Sequence, residues 1–420
     1  MIEQDSAGFV LASGSPRRRA MLRGAGLSPA VAPADIDETP RSGEDPAAFA
    51  ARMAREKAAA VARATGRPAL GCDTVVTLDK RILGKPVDDS DAVAMLEALA
   101  GRTHAVVSAW AICDPQGVRR AGASTTTVRF RAATRAELEA YVATGDPLDK
   151  AGGYGIQGEG MRLVDDYTGD YLTVVGMPLG DVLDGLIGEG LIAPRPPMAL
   201  RAATLRGRIA AGCDACGRDP ATVTLVGASK AQPVEALRAA VAAGVVDLGE
   251  NYVQEWIDKA DAVSGARWHF IGRVQRNKAK PIAQRAALVH GVDAARTAEA
   301  LGRAAVAAGR TLPLLVQVDL AGEPSKGGVA PDDLAALLDA IAGVAGVQCE
   351  GLMALPPDEG LAGARARFAA LRALRDAHAT TARPLPLLSM GMSGDFDAAV
   401  AEGATHVRVG TALFGPRPAK

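Results

Sequence analysis

The sequence predicts an α/β protein of two domains, the second of which is a (β/α)8 barrel. Three prolines in Pro194-Arg195-Pro196-Pro197 interrupt the middle of the 420-residue chain. Each proline lacks a backbone N–H and disfavours helical angles in the residue before it. Beyond this stretch, short apolar segments alternate with alanine-rich helical ones, a pattern typical of parallel strands joined by helices. We expect a domain at residues 1–193, a Pro-rich linker at 194–198 and a second domain at 199–420.

Length, charge and cysteine content exclude several classes of protein. A single core stops growing at roughly 250–300 residues, which favours two domains. The net charge of −1 argues against a nucleic-acid polymer or a membrane as the main partner. No apolar stretch approaches the ~20 residues of a membrane span, and five scattered cysteines are no secreted disulfide framework. Cys213 and Cys216 have CxxC spacing, for which two ordinary thiols near a helix end are favoured over redox or metal chemistry. We therefore expect a cytoplasmic protein.

The first domain begins with a strand, a loop and a helix. The apolar run Phe9–Ala12 predicts the strand, Ser13-Gly14-Ser15 the loop, and Pro16 a first helical turn capped by Ser15. Free backbone N–H groups, two hydroxyls and the adjacent Arg17 and Arg18 favour phosphate binding. The alternative is a capped helix with a solvated basic first turn.

An aspartate interrupts the next strand. The segment Ala69–Leu78 predicts a buried strand containing Asp73, and a buried carboxylate requires an ion pair, hydrogen bonds or a metal. After a turn, Gly84-Lys85-Pro86 fixes a lysine. A P-loop is excluded, because the required earlier glycine and the Ser/Thr after the lysine are missing.

Three further segments complete the first domain. A helix over residues 45–64 carries Lys57, and Thr103–Ser108 predicts a strand in which His104 is interpreted as a satisfied sheet histidine. The loop Gly152–Gly158 lets the backbone approach a ligand, and Gln157 within it can read an amide or carbonyl edge.

Together these motifs resemble the Maf-type nucleotide pyrophosphatases, over residues 8 to 190. The family order and approximate spacing are shared by Ser13-Gly-Ser-Pro-Arg-Arg18, Asp35-Ile-Asp-Glu38, Lys57-Ala58, Cys72-Asp73-Thr74, Gly84-Lys85-Pro86, Gly152 to Gly158 and Gly176-Met-Pro-Leu179. The resemblance implies an α/β domain with a mixed sheet that forms a homodimer. It also implies metal-dependent hydrolysis of a nucleoside triphosphate to a monophosphate and pyrophosphate.

The resemblance assigns roles to particular residues. Asp73, assisted by Glu38, would hold Mg²⁺ or Mn²⁺ and orient or deprotonate water. The triphosphate would bind to a set of hydroxyls and cations, namely Ser13, Ser15, Arg17, Arg18, Lys57 and Lys85. Asp-Thr after the strand and Tyr-x-Ile-Gln-Gly resemble the branch acting on dTTP and UTP, with Gln157 bonding a pyrimidine edge. Other, modified nucleotides are the alternative substrates, and a septum-related or nucleic-acid-binding regulator is a weaker alternative.

The second half of the chain predicts eight strands separated by helices, which favours a closed barrel over an open sheet. The strand candidates are 222–228, 245–249, 268–272, 288–292, 314–318, 349–353, 387–390 and 406–410. Chemistry in such barrels lies at the carboxyl ends of the strands. Those ends carry Ser229-Lys230, Glu250-Asn251, Arg273, Gln275, Asn277, Asp293, Asp319 with Lys326, Ala354, Gly391-Met-Ser393 and Gly410-Thr411.

These strand ends predict a cofactor site. Lys230 ends the first barrel strand, and a partly desolvated lysine suits Schiff-base chemistry. Ser393-Gly394 and Gly410-Thr411 offer N–H groups and hydroxyls to a phosphate, as barrels often do after their last strands. A lysine that binds an aldehyde, together with a phosphate site, suggests pyridoxal 5′-phosphate (PLP).

The same segments resemble the PLP-binding homeostasis proteins, whose TIM barrel is of the alanine racemase N-terminal type, over residues 200 to 417. The matching motifs are Val226 to Lys230, Gly249 to Glu255, Trp268 to Lys278, Leu388 to Asp395 and Val407 to Gly415. The resemblance implies a Schiff base on Lys230 and a cofactor contact from Asn251. It places Ser393, Gly394, Gly410 and Thr411 on the phosphate and Arg408 near the pyridine nitrogen. Gly291 and Asp319 depart from the family pattern, where serine and asparagine are common.

The barrel is expected to carry PLP without catalysing a reaction. An alanine racemase needs a further β-rich domain that supplies a tyrosine, and this sequence stops shortly after Phe414-Gly415. Storage or delivery of PLP in amino-acid homeostasis is therefore favoured over racemase or lyase activity. We expect a bifunctional protein whose two sites work independently, and the alternative is that nucleotide hydrolysis regulates PLP handling.

Overall fold

The computed structural model describes residues 8–194, 197–322, 327–357 and 359–415. They form two compact units that divide between Pro220 and Ala221, with Gly360–Ala362 counted with the first. Arg195 and Pro196 of the predicted linker lie outside the described residues, and the predicted domain boundaries stay a prediction. No helix in the described part of the chain is long and apolar enough to cross a bilayer.

The first unit contains a mixed seven-stranded sheet. Its strands are β1 (Val10–Leu11), β2 (Ala30–Val31), β3 (Ala69–Leu78), β4 (Arg81–Leu83), β5 (Thr103–Asp114), β6 (Gly117–Phe130) and β7 (Val164–Thr168). The order is β2-β1-β3-β5-β6-β7, and β4 pairs with β3 outside this path. Strands β1, β2 and β3 are parallel, whereas β5, β6 and β7 join antiparallel. The mixed sheet implied by the family resemblance is confirmed.

One edge of β3 is shared by two short strands, which leaves a gap between them. Strand β5 covers one edge of β3 from Ala69 to Thr77. On the other edge, β1 pairs only with Ala69 and Leu70, and β4 pairs only from Val76 onward. The loop that leaves β1 and the loop that leaves β4 therefore both reach the unpaired stretch of β3 between them.

The first unit also contains α-helices. They are α1 (Pro16–Gly24), α2 (Pro46–Thr65), α3 (Asp89–Leu99), α4 (Arg135–Val142), α5 (Tyr171–Val175), α6 (Leu179–Gly188) and α7 (Pro197–Ala215). Helix α2 begins at a cap on Asp45 and ends at a left-handed Gly66, close to its predicted bounds. It packs so tightly on β3 that a Cβ at Gly71 would lie 2.2 Å from the Ala54 carbonyl oxygen. Apolar side chains of α2, including Phe49 and Met53, fill the core on this face.

The second unit is a closed parallel barrel. Its strands are β8 (Thr224–Ala228), β9 (Asp247–Glu250), β10 (Arg267–Phe270), β11 (Leu288–Val292), β12 (Leu312–Gln317), β13 (Val347–Met353), β14 (Leu387–Ser389) and β15 (His406–Val409). Each strand pairs with its neighbours in sequence, and β15 closes the ring on β8. All eight predicted strands are present. Their apolar runs, bounded by helical segments, were sufficient to predict the barrel.

The barrel helices follow the strands around the ring. They are α8 (Val234–Ala242), α9 (Val253–Ala260), α10 (Ala279–Arg285), α11 (Ala295–Ala307), α12 (Leu334–Ala342), α13 (Gly360–His378), α14 (Phe396–Ala401) and α15 (Thr411–Phe414). Because every strand is parallel, their carboxyl ends meet at one mouth of the barrel. Lys230, Asn251 and Gly410 therefore open toward the same side.

Candidate functional sites

A buried ion pair occupies the gap of β3. Lys57 lies on the face of α2 that packs on the sheet, and its Nζ lies 2.7 Å from Asp73 Oδ1. The same Nζ lies 2.9 Å from Oε2 of Glu38, whose side chain is 53% exposed. Burial raises the pKa of Asp73, and the Lys57 ammonium opposes that rise. Asp73 was predicted to need a partner because it interrupts an apolar strand, and Lys57 is that partner. Because its pKa is raised, the Asp73 carboxylate is a stronger base than an exposed one.

An arginine from the first turn of α1 is held beside this pair by neutral oxygens. Arg18 donates to Ser13 Oγ at 3.0 Å, to Thr74 Oγ1 at 3.2 Å and to the Gly176 carbonyl at 2.9 Å. Thr74 is anchored in turn by Ser108 Oγ at 2.8 Å. These hydrogen bonds orient the guanidinium without neutralising it, so it remains suited to an anion. Thr74 belongs to the motif Cys72-Asp73-Thr74 but was not predicted to act in the site.

At the start of α1, Ser15 caps the helix and Arg17 forms an ion pair. Ser15 caps the helix by accepting from the Arg18 N–H at 3.5 Å. Arg17 Nη1 lies 3.5 Å from Asp149 Oδ2, which places a negative charge beside the basic first turn. Asp149 was missed because it is 132 residues away in the chain, at the end of a short 3-10 helix with no periodic pattern.

The glycine-rich loop presents a buried amide. Gln157 is 6% exposed, and neither Oε1 nor Nε2 has a hydrogen-bond partner. Gly152 adopts φ 71°, and its N–H donates to the Gly84 carbonyl at 2.9 Å. This hydrogen bond joins the glycine-rich loop to the loop after β4, which carries the exposed Lys85. An amide buried without partners is costly unless a ligand satisfies it. Gln157 therefore supports the predicted recognition of a polar edge.

His104 is partly satisfied, as a sheet histidine. Its Nε2 lies 2.7 Å from the Tyr154 hydroxyl, while Nδ1 has no partner. Burial lowers the pKa of His104 to about 4, so the ring is neutral at pH 7. We assign it no chemistry.

The carboxylates in the gap provide part of a ligand set for a divalent metal. No group of three or more His, Cys, Asp or Glu side chains in the described residues is arranged to hold an ion. Mg²⁺, however, is commonly held by one or two carboxylates together with substrate phosphates and water. Asp73 and Glu38 both contact the same Nζ of Lys57, so the two carboxylates lie on the same ammonium group and form a pair of oxygen donors in the gap.

At the mouth of the barrel, Lys230 follows β8 and Asn251 follows β9. Lys230 is half-buried, between a fully buried Ser229 and an exposed Ala231. Asn251 Oδ1 is buried without a hydrogen-bond partner, an open acceptor beside the lysine strand. Such an acceptor fits a polar ligand.

The predicted phosphate site brings two segments together. Ser393 Oγ accepts from the Ala412 N–H at 3.3 Å, which links the loop after β14 to α15. A Cβ at Gly394 would meet nothing within 4 Å, and Gly410 is the N-cap of α15, next to Thr411. Hydroxyls and glycine N–H groups beside open space fit a phosphate.

Arg408 is buried in the barrel interior. It donates to the Ala354 carbonyl at 2.9 Å and to Ser389 Oγ. Burial lowers the pKa of Arg408 to about 10, which leaves the guanidinium charged at neutral pH. Lys230, Asn251 and Arg408 thus supply an amine that fits an aldehyde, an open hydrogen-bond acceptor and a charged donor in the barrel.

Behind Arg408, a chain of hydrogen bonds crosses the barrel. Ser389 Oγ lies 2.7 Å from His290 Nδ1, His290 Nε2 lies 3.0 Å from His269 Nδ1, and His269 Nε2 lies 2.7 Å from Asp247 Oδ1. Sequence reasoning did not identify this histidine chain (Ser389, His290, His269 and Asp247). The feature of the sequence that could have indicated the histidine chain is the presence of polar residues inside strands that are otherwise apolar.

Several polar residues predicted at the strand ends are exposed or make local contacts. Arg273 is exposed and pairs with Asp293 at 3.6 Å, and Gln275 and Asn277 are exposed. Asp319 accepts from the N–H groups of a turn, and Lys326 lies outside the described residues.

Two other sequence features have structural explanations. At Gly291 a Cβ would lie 2.7 Å from the Gly272 carbonyl oxygen, so close packing of the backbone accounts for glycine there. The Cys216 thiol donates to the carbonyls of Gly212 and Cys213 near the end of α7, in agreement with an ordinary thiol.

A gap in a sheet lined by cations and carboxylates, and a parallel barrel with a lysine at its mouth, define a protein with a phosphate-handling domain and a cofactor-binding domain. Residues 8–188 match the model of Maf-like proteins, and residues 219–418 match that of the alanine racemase N-terminal domain. The chain belongs to both families, one in each half. Both predicted resemblances are thereby confirmed.

The relatives divide in the same way. A dTTP/UTP pyrophosphatase of Desulfotalea psychrophila is 46% identical over 187 residues, 44% of this chain and 96% of the relative. A pyridoxal phosphate homeostasis protein of Pseudomonas aeruginosa is 45% identical over 217 residues, 51% of this chain and 94% of the relative. The solved structure of PipY from Synechococcus elongatus PCC7942 with PLP bound is 39% identical, covers 52% of this chain and 100% of PipY, and has a TM-score of 0.46. The N-terminal half is thus classed with nucleotide pyrophosphatases.

Proposed function

We propose that the N-terminal domain hydrolyses dTTP and UTP to the monophosphate and pyrophosphate with the help of a divalent metal. The observation that carries this proposal is the position of Lys57 between Asp73 and Glu38, in a gap that Arg18 also enters. Names of relatives about 46% identical support the substrate class.

The residues divide the work by charge and burial. Arg18, Lys57 and Lys85 stabilise the triphosphate, and Gln157 bonds the pyrimidine edge. Asp73, whose pKa is raised by burial, accepts the proton of water as its oxygen joins phosphorus and the bridge to pyrophosphate breaks. Bound to Asp73 and Glu38, Mg²⁺ or Mn²⁺ would neutralise developing phosphate charge.

A nucleotide panel tests this proposal on the full chain. With Mg²⁺ or Mn²⁺ present, dTTP and UTP should release pyrophosphate faster than dATP, dGTP, dCTP or modified nucleotides. Equal or faster turnover of purine nucleotides would contradict the assigned specificity. Release of inorganic phosphate in place of pyrophosphate would contradict the reaction.

We propose, second, that the barrel binds PLP as a Schiff base on Lys230 and serves PLP homeostasis without catalysis of its own. Lys230 would hold the cofactor through its Nζ, and PLP would supply the aldehyde for the Schiff base with that amine. Asn251 contacts the cofactor, and Ser393, Gly394, Gly410 and Thr411 hold its phosphate. The unpartnered Asn251 oxygen next to the lysine strand carries this proposal.

Absorbance and racemisation test the second proposal. PLP should give the full chain a visible Schiff-base band that Lys230→Ala abolishes. Robust racemisation of alanine would contradict the role of a carrier. We propose further that the two sites are independent, so saturation with PLP should leave the rate of pyrophosphate release unchanged.

A further inference from the structure

The turn that carries Lys230 is strained and tightly held. Ala231 adopts φ 58°, in the left-handed region that residues with a Cβ rarely enter. Such a conformation persists only when surrounding contacts fix it. Those contacts come from three charged side chains of β9 and α9, namely Glu250, Glu255 and Lys259, which we call the clamp.

The clamp is hydrogen-bonded to Ser229, the residue before Lys230. Ser229 Oγ donates to Glu250 Oε2 at 2.9 Å, and the Ser229 carbonyl accepts from Lys259 Nζ at 2.7 Å. Ser229 N–H also donates to the Gly249 carbonyl at 2.9 Å. Every polar backbone and side-chain group of Ser229 is therefore engaged.

The clamp is also hydrogen-bonded to Ala231, the residue after Lys230. The Ala231 N–H donates to Glu255 Oε1 at 2.7 Å, and that oxygen lies 2.5 Å from Lys259 Nζ. Both neighbours of Lys230 are thus tied to the same ammonium, one directly and one through a carboxylate. The direction in which the Lys230 side chain leaves the backbone is fixed as a consequence.

Two members of the clamp are buried, and all three are paired. Glu250 is 0% exposed and Lys259 is 6% exposed. The three N–H groups of Lys259 are matched by Ser229 O, Glu250 Oε2 at 3.1 Å and Glu255 Oε1. Glu250 uses its other oxygen to accept from the Asn251 N–H at 2.7 Å, so one carboxylate orders both predicted cofactor-contacting segments.

Stability alone does not explain this arrangement. Well-packed apolar residues usually stabilise a fold as well as a buried ion pair does, or better. The charged groups here are aimed at the two residues that flank Lys230 and at the backbone of Asn251. An apolar cluster of the same volume could not hold those backbone groups.

We propose that Glu250, Glu255 and Lys259 are positioning residues that preorganise Lys230 for attachment of PLP. This inference rests on the proposed function of Lys230. Lys259 directs its three N–H groups to oxygens of the fold, so its amine is not presented to the aldehyde. Preorganisation should raise the rate and the equilibrium of attachment at Lys230, with little effect on how the phosphate binds.

Two ligands separate these effects on the full chain. PLP can form the Schiff base, whereas pyridoxine 5′-phosphate has no aldehyde and reports binding of the ring and phosphate alone. In Lys259→Met we expect the Kd for PLP to rise about tenfold or more and band formation to slow, while the Kd for pyridoxine 5′-phosphate changes by less than about twofold. Glu255→Gln keeps an acceptor for the Ala231 N–H and should show a smaller effect of the same kind. The control is Lys280→Met, which removes an exposed lysine of α10.

The outcomes distinguish the clamp from the proposed function. If Lys259→Met and Glu255→Gln weaken both ligands equally, or neither ligand, the positioning role is wrong. If Lys259→Met does not fold, Glu255→Gln decides by the same criterion, because its side chain is 30% exposed. If Lys230→Ala keeps the band and the PLP affinity of the unmodified chain, the proposed function itself fails, whatever the clamp variants show.

Discussion

Lys57 Nζ lies 2.7 Å from Asp73 Oδ1, in the one stretch of β3 where neither β1 nor β4 covers the strand edge. The ammonium comes from α2 and the carboxylate from the sheet, so the tight packing of Gly71 on Ala54 sets their distance. The ammonium offsets the cost of burying the carboxylate in a place that the loops after β1 and β4 also reach. Both the catalysis and the stability of the first domain should depend on this pair.

Replacing Lys57 by methionine tests that dependence. The variant leaves Asp73 buried without its cation, which raises the pKa of that carboxyl further and removes a positive charge from the triphosphate site. We expect pyrophosphate release to fall by about 10²–10³-fold and unfolding to become easier by about 3 kcal/mol. Lys57→Arg should retain more activity than Lys57→Met, and equal losses would contradict the role of the charge.

Gln157 should contribute to substrate recognition and little to stability. Its amide is buried without partners, so Gln157→Leu removes a desolvated polar group and should leave the free energy of unfolding unchanged or raise it by about 1 kcal/mol. The same variant should lower kcat/KM for dTTP and UTP by about 10-fold or more. Gln116→Leu, on the exposed β5–β6 turn, is the matched control. A large loss of stability with unchanged kinetics would contradict our interpretation.

His104 should make the first domain sensitive to acid. Its folded pKa of about 4 lies below the ordinary value of 6.5, so the unfolded chain binds the extra proton first as pH falls. Between pH 6.5 and 4 this group should therefore cost up to about 1.4 kcal/mol of stability per pH unit. Hydrogen exchange of β5 peptides should show that slope, and His104→Gln should reduce it. An unchanged slope would show that His104 does not cause it.

The histidine chain should have one direction of hydrogen bonding. Arg408 can only donate and the Asp247 carboxylate can only accept, so Ser389 should donate to His290 Nδ1 and each histidine should carry its proton on Nε2. Burial lowers the pKa of His290 well below its ordinary value, which agrees with a neutral ring. Nitrogen chemical shifts of the two rings at pH 7 test this directly. A protonated Nδ1 on His290 would reverse the chain.

The sequence was sufficient to predict the barrel, because each strand is a short apolar run between helices and needs no knowledge of its partner. Lys230 and Asp73 were found for a related reason, since a charged residue at the end of or inside such a run is locally conspicuous. Ser389 and His290 are 99 residues apart, and their contact exists only once the ring closes. Lys259 had a weak local signal, its spacing of four residues from Glu255 on α9. The gap in β3 depends on where two short strands stop pairing, which no local pattern records.

The most direct test of the nucleotide site is pyrophosphate release from dTTP by the full chain and by Asp73→Asn, with Mg²⁺ present. Asparagine keeps the size of the side chain but cannot accept a proton or hold a cation strongly. We predict equimolar pyrophosphate and monophosphate from the unmodified chain and a loss of about 10²-fold or more in the variant. Undiminished turnover by Asp73→Asn would contradict the assignment of this site.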